Sequence, residues 1–109
     1  MEFIESEYFS RRLPRYLSDE EYSALQWFLA LHPAAGDVIA GTGSLRKLRW
    51  GIEGKGKRGG LRVIYYWQRA AETVILLELY RKNERTDLTR TERHQLRGLL
   101  DGMLKELKL

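Results

Sequence analysis

Residues 61–80, LRVIYYWQRAAETVILLELY, decide the fold, because they contain two strand-like runs separated by a short polar turn. The second run, TVILLELY at 73–80, is apolar on both faces, which is typical of a strand inside a sheet. The side chains of the first run, LRVIYYW at 61–67, alternate between the two faces of the predicted strand. Its core-facing positions are Leu61, Val63, Tyr65 and Trp67, and its other face carries Arg62, Ile64 and Tyr66.

The same period of two continues upstream, on the other side of a glycine-rich segment. Leu48, Trp50 and Ile52 alternate with Lys47, Arg49 and Gly51. This pattern predicts a further strand with one buried and one available face. A short extended segment, EFIES at 2–6, is predicted at the N-terminus, with Phe3 as its anchor, whereas AAGDVIAGTGS at 34–44 is predicted to be a loop.

Helices are predicted at both ends of the chain. Ser18 and Glu21 form a capping box before an apolar face that ends at Pro33. The preceding segment at 8–17 predicts a shorter helix that Pro14 bends or ends. Thr89 and Glu92 form a second capping box, followed by an apolar stripe. The sequence therefore predicts an α+β fold: a single domain over 1–109 with an N-terminal strand and helices, a largely antiparallel sheet and a C-terminal helix.

Composition excludes several classes of function. Cysteine is absent, which excludes disulfides, thiolate metal sites and a cysteine nucleophile. His32 and His94 are the two histidines, and nothing in the sequence brings them together, so neither a metal nor any other cofactor is expected. No signal peptide or membrane-spanning run is recognisable, which predicts a soluble cytoplasmic protein.

Positive charge is concentrated in the middle of the chain. Residues 44–69 contain eight basic and one acidic side chain, although the whole chain carries a formal net charge of only +4. Such a one-sided cluster favours a polyanion such as nucleic acid. A patch that only improves solubility is the alternative.

The glycine-rich segment GKGKRGG at 54–60 matches G-x-G-x-x-G, but a strand follows it where a dinucleotide fingerprint would open a helix. Its glycines would allow backbone amides to approach a phosphate, while Lys55, Lys57 and Arg58 supply charge. An ordinary hairpin loop that happens to be basic is the alternative. Lys47, Arg49 and Arg62 would share one surface in an antiparallel pairing, where an anion would relieve their repulsion.

Three segments in order, GTGSLRKLRW (41–50), GKGKRGGLRVIYYW (54–67) and LLELYRKNERTDLT (76–89), resemble the HigB branch of the RelE/ParE superfamily. These are the toxins of bacterial type II toxin–antitoxin pairs. The resemblance implies a compact α+β fold whose exposed sheet face cleaves messenger RNA in the ribosomal A site. It also implies a helix-turn-helix antitoxin as partner, with DNA contacted only through the toxin–antitoxin complex.

The resemblance also assigns site residues. Lys47 and Arg49 match the family's strand cations, Arg62 matches the arginine of its RVIYY strand, and residues 82–84 match its KNE segment. Some RelE-type enzymes place a late tyrosine near the scissile phosphate, where this chain has TDLTRT; Tyr80 and Tyr66 are the substitutes. The catalytic candidates are Arg62, Lys82, Lys57, Arg49 and Glu84. The candidate RNA contacts are Lys47, Lys55, Arg58, Arg46, Asn83 and Tyr66.

Attack of the 2′-hydroxyl on its own phosphate needs a base, fixed positive charge and a proton for the leaving oxygen. Arg62 and Arg49 suit bidentate holding of the phosphate. A lysine among other cations loses its proton more readily, so Lys57 or Lys82 is a candidate base or acid, with Glu84 as the rival base.

Two other functions compete with the nuclease. A non-catalytic inhibitor of a nucleic-acid machine such as DNA gyrase, as in the ParE branch, is the runner-up. A plain RNA-binding domain that stacks bases on Tyr65, Tyr66 and Trp67 ranks third, because strand parity sends Tyr65 and Trp67 to the core.

Overall fold

A computed structural model of the protein describes residues 1–51, 60–85 and 87–109. Within those residues it is an α+β protein with a five-stranded mixed sheet and three helices, as the sequence predicts at the level of fold class. In chain order the elements are β1 (Glu2–Glu5), α1 (Glu7–Tyr16), α2 (Asp19–Leu31), β2 (Asp37–Val38), β3 (Arg46–Trp50), β4 (Leu61–Gln68), β5 (Thr73–Arg81) and α3 (Arg90–Leu107).

The sheet has the strand order β1-β5-β4-β3-β2. Strands β2 to β5 pair antiparallel, and β5 lies between two neighbours, as its two apolar faces predict. β1 instead pairs parallel with β5. The segment predicted to be only a loop contains the two-residue edge strand β2, which is too short to produce a recognisable alternation.

The α1 and α2 helices cover one face of the sheet. Phe9, Leu25 and Leu29 are completely buried against the core-facing residues of β3, β4 and β5. The predicted capping box starts α2: Ser18 N–H donates to Glu21 Oε1 at 2.8 Å, and Glu21 N–H donates to Ser18 Oγ at 3.1 Å. We call this side of the sheet the α1/α2 face.

The sequence predicts that Pro14 bends or ends α1, and in the structure it does not end the helix. The helix continues to Tyr16, and Leu17 N–H still donates to the carbonyl of Leu13 at 3.0 Å. Phe9 and Tyr16, seven residues apart, are both buried and hold the two ends of the helix against the core. Tertiary packing therefore outweighs the hydrogen bond that proline removes.

The α3 helix packs on the opposite side of the sheet, which we call the α3 face. Leu96 and Leu100 are buried there against Ile64, Ile75 and Leu77. The predicted capping box of Thr89 and Glu92 begins the helix. The sheet face that carries the candidate site is therefore partly covered by α3.

A β-bulge between β4 and β5 changes how the α3 face is built. The register shifts at Ile64/Tyr65, so that Ile64 lies opposite Glu78 while Tyr65 lies opposite Leu76. The extra residue, Leu77, joins the core under α3. As a result Glu78 lies in the same cross-strand row as Ile64 in an otherwise apolar strand.

Candidate nucleic-acid interface

Two neighbouring cross-strand rows on the α3 face hold the basic strand residues. One row runs Arg49, Arg62, Tyr80 across β3, β4 and β5, and the next runs Lys47, Ile64, Glu78. Directly paired residues project from the same side of a sheet. Lys47, Arg49 and Arg62 therefore share one face, as strand parity predicts, and we call these three residues the cation row.

The cation row contains a like-charged pair. Arg49 and Arg62 are direct cross-strand partners, an arrangement that destabilises a sheet when no anion lies nearby. Arg49 is exposed and Arg62 is half-buried, with its Nη1 donating to the carbonyl of Leu61 at 3.4 Å. The fold thus places two arginines opposite each other on neighbouring strands.

Asp87 supplies a carboxylate next to the cation row. It accepts a hydrogen bond from Lys47 Nζ at 3.2 Å, and its other oxygen lies 3.6 Å from Arg93 Nη2. The backbone N–H of Leu88 and then Lys47 hold the pKa of Asp87 below its usual range. Lys47 is therefore neutralised by a carboxylate that stays charged at neutral pH. The sequence does not predict Asp87 as a site residue, because an aspartate just before a helix N-cap is typical of a turn.

Tyr80 lies beside Arg62 in the same cross-strand row. Its side chain is completely buried, and its hydroxyl has no hydrogen-bond partner among the described residues. The guanidinium of Arg85 sits 4.4 Å from the centre of its ring. Burial raises the pKa of the Tyr80 hydroxyl, which therefore stays protonated at neutral pH. Of the two substitutes for the late tyrosine, Tyr80 is the one that adjoins Arg62.

The second charged cluster on this side is internally balanced. Glu78 is 8% exposed and pairs with Arg12 of α1 and with Arg85, each at 3.6 Å. Arg85 also pairs with Glu92 of α3 at 2.9 Å. We call these four residues the Glu78 network. None of them was predicted from the sequence as a site residue, and the alternation of their charges indicates a structural role.

Two candidate site residues lie apart from the cation row. Glu84 Oε1 accepts hydrogen bonds from the Tyr16 hydroxyl at 2.7 Å and from the Arg81 N–H at 2.8 Å. These two bonds lower the pKa of Glu84, which makes it a weak base. Arg46 lies on the α1/α2 face, where its Nη1 donates to the carbonyls of Ala34 and Gly36 at 3.1 and 2.8 Å.

The remaining candidates border the row or fall outside the described residues. Tyr66 is half-buried and packs against the core under α3. Lys82 and Asn83 are exposed in the turn after β5, and Lys82 N–H donates to the carbonyl of Gly60 at 2.9 Å, next to the start of β4. Lys55, Lys57 and Arg58 lie outside the described residues.

In the part of the chain that the structure describes, no group of three or more histidine, cysteine, aspartate or glutamate residues could hold a metal ion. No helix in that part is long and apolar enough to cross a bilayer. The chain matches no protein-family model. The assignment therefore has to come from the site itself.

Proposed function

We propose that this protein is the toxin of a type II toxin–antitoxin pair, related to the HigB branch of the RelE/ParE superfamily, and that it cleaves messenger RNA on the ribosome. The observation that carries the proposal is the direct cross-strand pairing of Arg49 with Arg62. Two arginines that project from the same face of a sheet can bind one phosphodiester together.

The cleavage proceeds by attack of the 2′-hydroxyl on the adjacent phosphate, which forms a 2′,3′-cyclic phosphate and breaks the bond from phosphorus to the 5′-oxygen. A base takes the proton of the hydroxyl, and an acid protonates the leaving 5′-oxygen. Arg49 and Arg62 hold the phosphate by bidentate hydrogen bonds and stabilise the negative charge that develops on its oxygens. The lowered pKa of Glu84 and its two bound donors argue against this residue as the base. Two lysines remain as candidates for the base or the acid. Lys82 lies beside the start of β4, and Lys57 lies outside the described residues.

The ribosome presents the substrate, and an antitoxin controls the enzyme. Two guanidinium groups orient a phosphate but do little to shape an RNA chain around it. The A site of the ribosome supplies that shape by holding the messenger in an extended form. The antitoxin is a helix-turn-helix protein that covers the cation row and links the toxin to operator DNA.

Primer extension on a defined messenger in a reconstituted translation reaction tests the proposal. We expect wild-type protein to cut within codons only when ribosomes are present, and Arg62→Ala to reduce the cleavage rate at least a hundredfold, because the developing charge loses a bidentate donor. Arg15→Ala is the matched control, since Arg15 is an exposed arginine in the last turn of α1. It should cleave at the wild-type rate.

If Arg62→Ala cleaves messenger at the wild-type rate, the cation row is not the cleavage site. If the wild-type protein leaves the messenger intact, the protein is not a ribosome-dependent nuclease. In that case supercoiling by DNA gyrase in the presence of the protein is the next assay, because the non-catalytic inhibitor is the competing function.

A further inference from the structure

A second basic surface lies beside the cation row, on the first half of α3. A cleft of about 640 Å³ opens there, lined by Ala40, Gly41, Leu88, Arg90, Arg93, His94 and Arg97. We propose that this basic cleft binds the phosphodiester backbone of RNA, as a contact separate from the cleavage site. The choice of RNA as ligand rests on the proposed function.

Helical spacing gathers the basic residues of the cleft. Arg93, His94 and Arg97 follow Arg90 by three, four and seven residues, which places all four side chains on one side of α3. The described residues that line the cleft include no carboxylate. Arg90 and His94 are exposed. Two carboxylates outside the lining, Asp87 and Asp101, pair with Arg93 and Arg97. The three guanidinium groups of the cleft still outnumber them, and this positive balance favours an anion.

The neighbouring loop holds two of the arginines in place. Arg93 Nη1 donates to the carbonyl of Ala40 at 3.4 Å, and Arg97 Nη1 donates to the carbonyl of Thr42 at 3.1 Å. On the rim, Arg97 also pairs with Asp101 at 3.0 Å. Each guanidinium has five N–H donors, so these bonds fix the planes of both groups and leave further donors for a ligand. Preorganised donors lower the entropic cost of binding.

Asp87 connects the basic cleft with the cation row. Its carboxylate bridges Lys47 of the row and Arg93 of the cleft, at 3.2 and 3.6 Å. The two basic surfaces therefore adjoin, with the carboxylate of Asp87 between them. A long polymer of phosphates fits this arrangement better than a small anion, which would need only one of the two surfaces.

Fluorescence anisotropy with labelled RNA, in the absence of ribosomes, tests the basic cleft. The test variant is Arg90→Ala/His94→Ala, whose two side chains are exposed and lie outside the cation row. The matched control is Arg15→Ala/His32→Ala, which removes the same residue types from exposed positions on α1 and at the end of α2. Thermal unfolding midpoints of both variants should equal that of the wild type.

We expect the cleft variant to bind RNA about tenfold more weakly than the control. The slope of log affinity against log salt should become shallower by about 0.7, the contribution of one phosphate contact on a single strand. A single-stranded oligonucleotide and an RNA hairpin are compared. Preferential loss on the single strand assigns the cleft to messenger, and preferential loss on the hairpin assigns it to structured ribosomal RNA.

Equal affinities of the cleft and control variants, or no RNA binding by the wild type, would overturn the inference. The outcomes also separate it from the proposed function. If the wild type cleaves messenger on the ribosome but the cleft variant binds RNA as tightly as the control, the cleft is not an RNA-binding site and the proposed nuclease activity still stands. Weakened binding by the cleft variant, together with a wild type that cuts no messenger, supports the cleft and rejects the nuclease.

Discussion

The Glu78 network and the cation row lie on the same side of the sheet, yet their charges are arranged in opposite ways. In the network each arginine has a carboxylate neighbour, and Glu78 lies between two of them. In the cation row, Arg49 lies opposite Arg62, and Lys47 pairs with Asp87. The comparison shows that carboxylates link the charged groups of the network into one cluster, whereas the cation row brings two arginines together on one face of the sheet.

Removing the charge of Glu78 should have the largest effect on stability. In Glu78→Gln, Arg12 and Arg85 lose the carboxylate that they share in a largely buried position. We expect the free energy of unfolding to fall by about 2 kcal/mol, which is less than the roughly 3–5 kcal/mol for breaking a fully buried pair, because both arginines are partly exposed. Urea unfolding measures the change.

Glu106→Gln, at an exposed position of α3, is the control for that experiment and should change the free energy of unfolding by less than about 0.5 kcal/mol. Equal effects of the two substitutions would mean that the Glu78 network contributes nothing specific. Ribosome-dependent cleavage by the folded Glu78→Gln protein should stay at the wild-type level, since the cation row is intact.

Converting the like-charged pair into an opposite-charged pair should have a smaller effect on stability, with the opposite sign. Arg49→Glu places a carboxylate directly across from Arg62, and we expect the free energy of unfolding to rise by about 0.5 kcal/mol. The same variant should lose messenger cleavage. Arg49→Gln removes the repulsion without adding an attraction, so its stability should lie between the two. A destabilised Arg49→Glu protein would contradict the view that the pair opposes folding.

Acid should affect both regions, and this effect is the smallest because the groups are accessible. The pKa values of Glu92 and Asp87 lie below those of the unfolded chain, mainly because the N–H groups of Thr89 and Leu88 donate to them. Their contribution to stability is therefore complete above the unfolded pKa values and is lost as pH falls through the lowered ones. Melting temperatures measured from pH 7 to pH 3 should fall less steeply below about pH 4 for Glu92→Gln than for wild type.

Strand parity explains why so much of the site can be predicted from the sequence. The alternation in 61–67 and 47–52 sorts side chains between two faces, so the shared face of Lys47, Arg49 and Arg62 follows once the strands are antiparallel. The same rule puts Arg46 on the other face, against the end of α2. Arg46 is next to Lys47 in the sequence, but strand parity separates the two side chains, so Arg46 is not placed with the other candidate RNA contacts of this strand.

The contacts that define the surroundings of the site are long-range, and no local pattern encodes them. Asp87 meets Lys47 across 40 positions of the chain, and Tyr16 meets Glu84 across 68. The β-bulge that brings Glu78 into line with Ile64 depends on the register of two strands, which a single strand does not reveal. The parallel pairing of β1 is hidden for the same reason.

The position of β1 has a consequence for the order of folding. Residues 2–5 have no strand partner until residues 73–76 are available, and Ser6 then donates its hydroxyl to the carbonyl of Leu77 at 2.8 Å. The β4–β5 hairpin closes across a short turn, so it can form early, whereas docking of β1 must wait for the closure of a long loop. During synthesis, β1 leaves the ribosome well before β5, yet it is among the last segments to be placed, and the edge of β5 stays open to other strands until β1 docks.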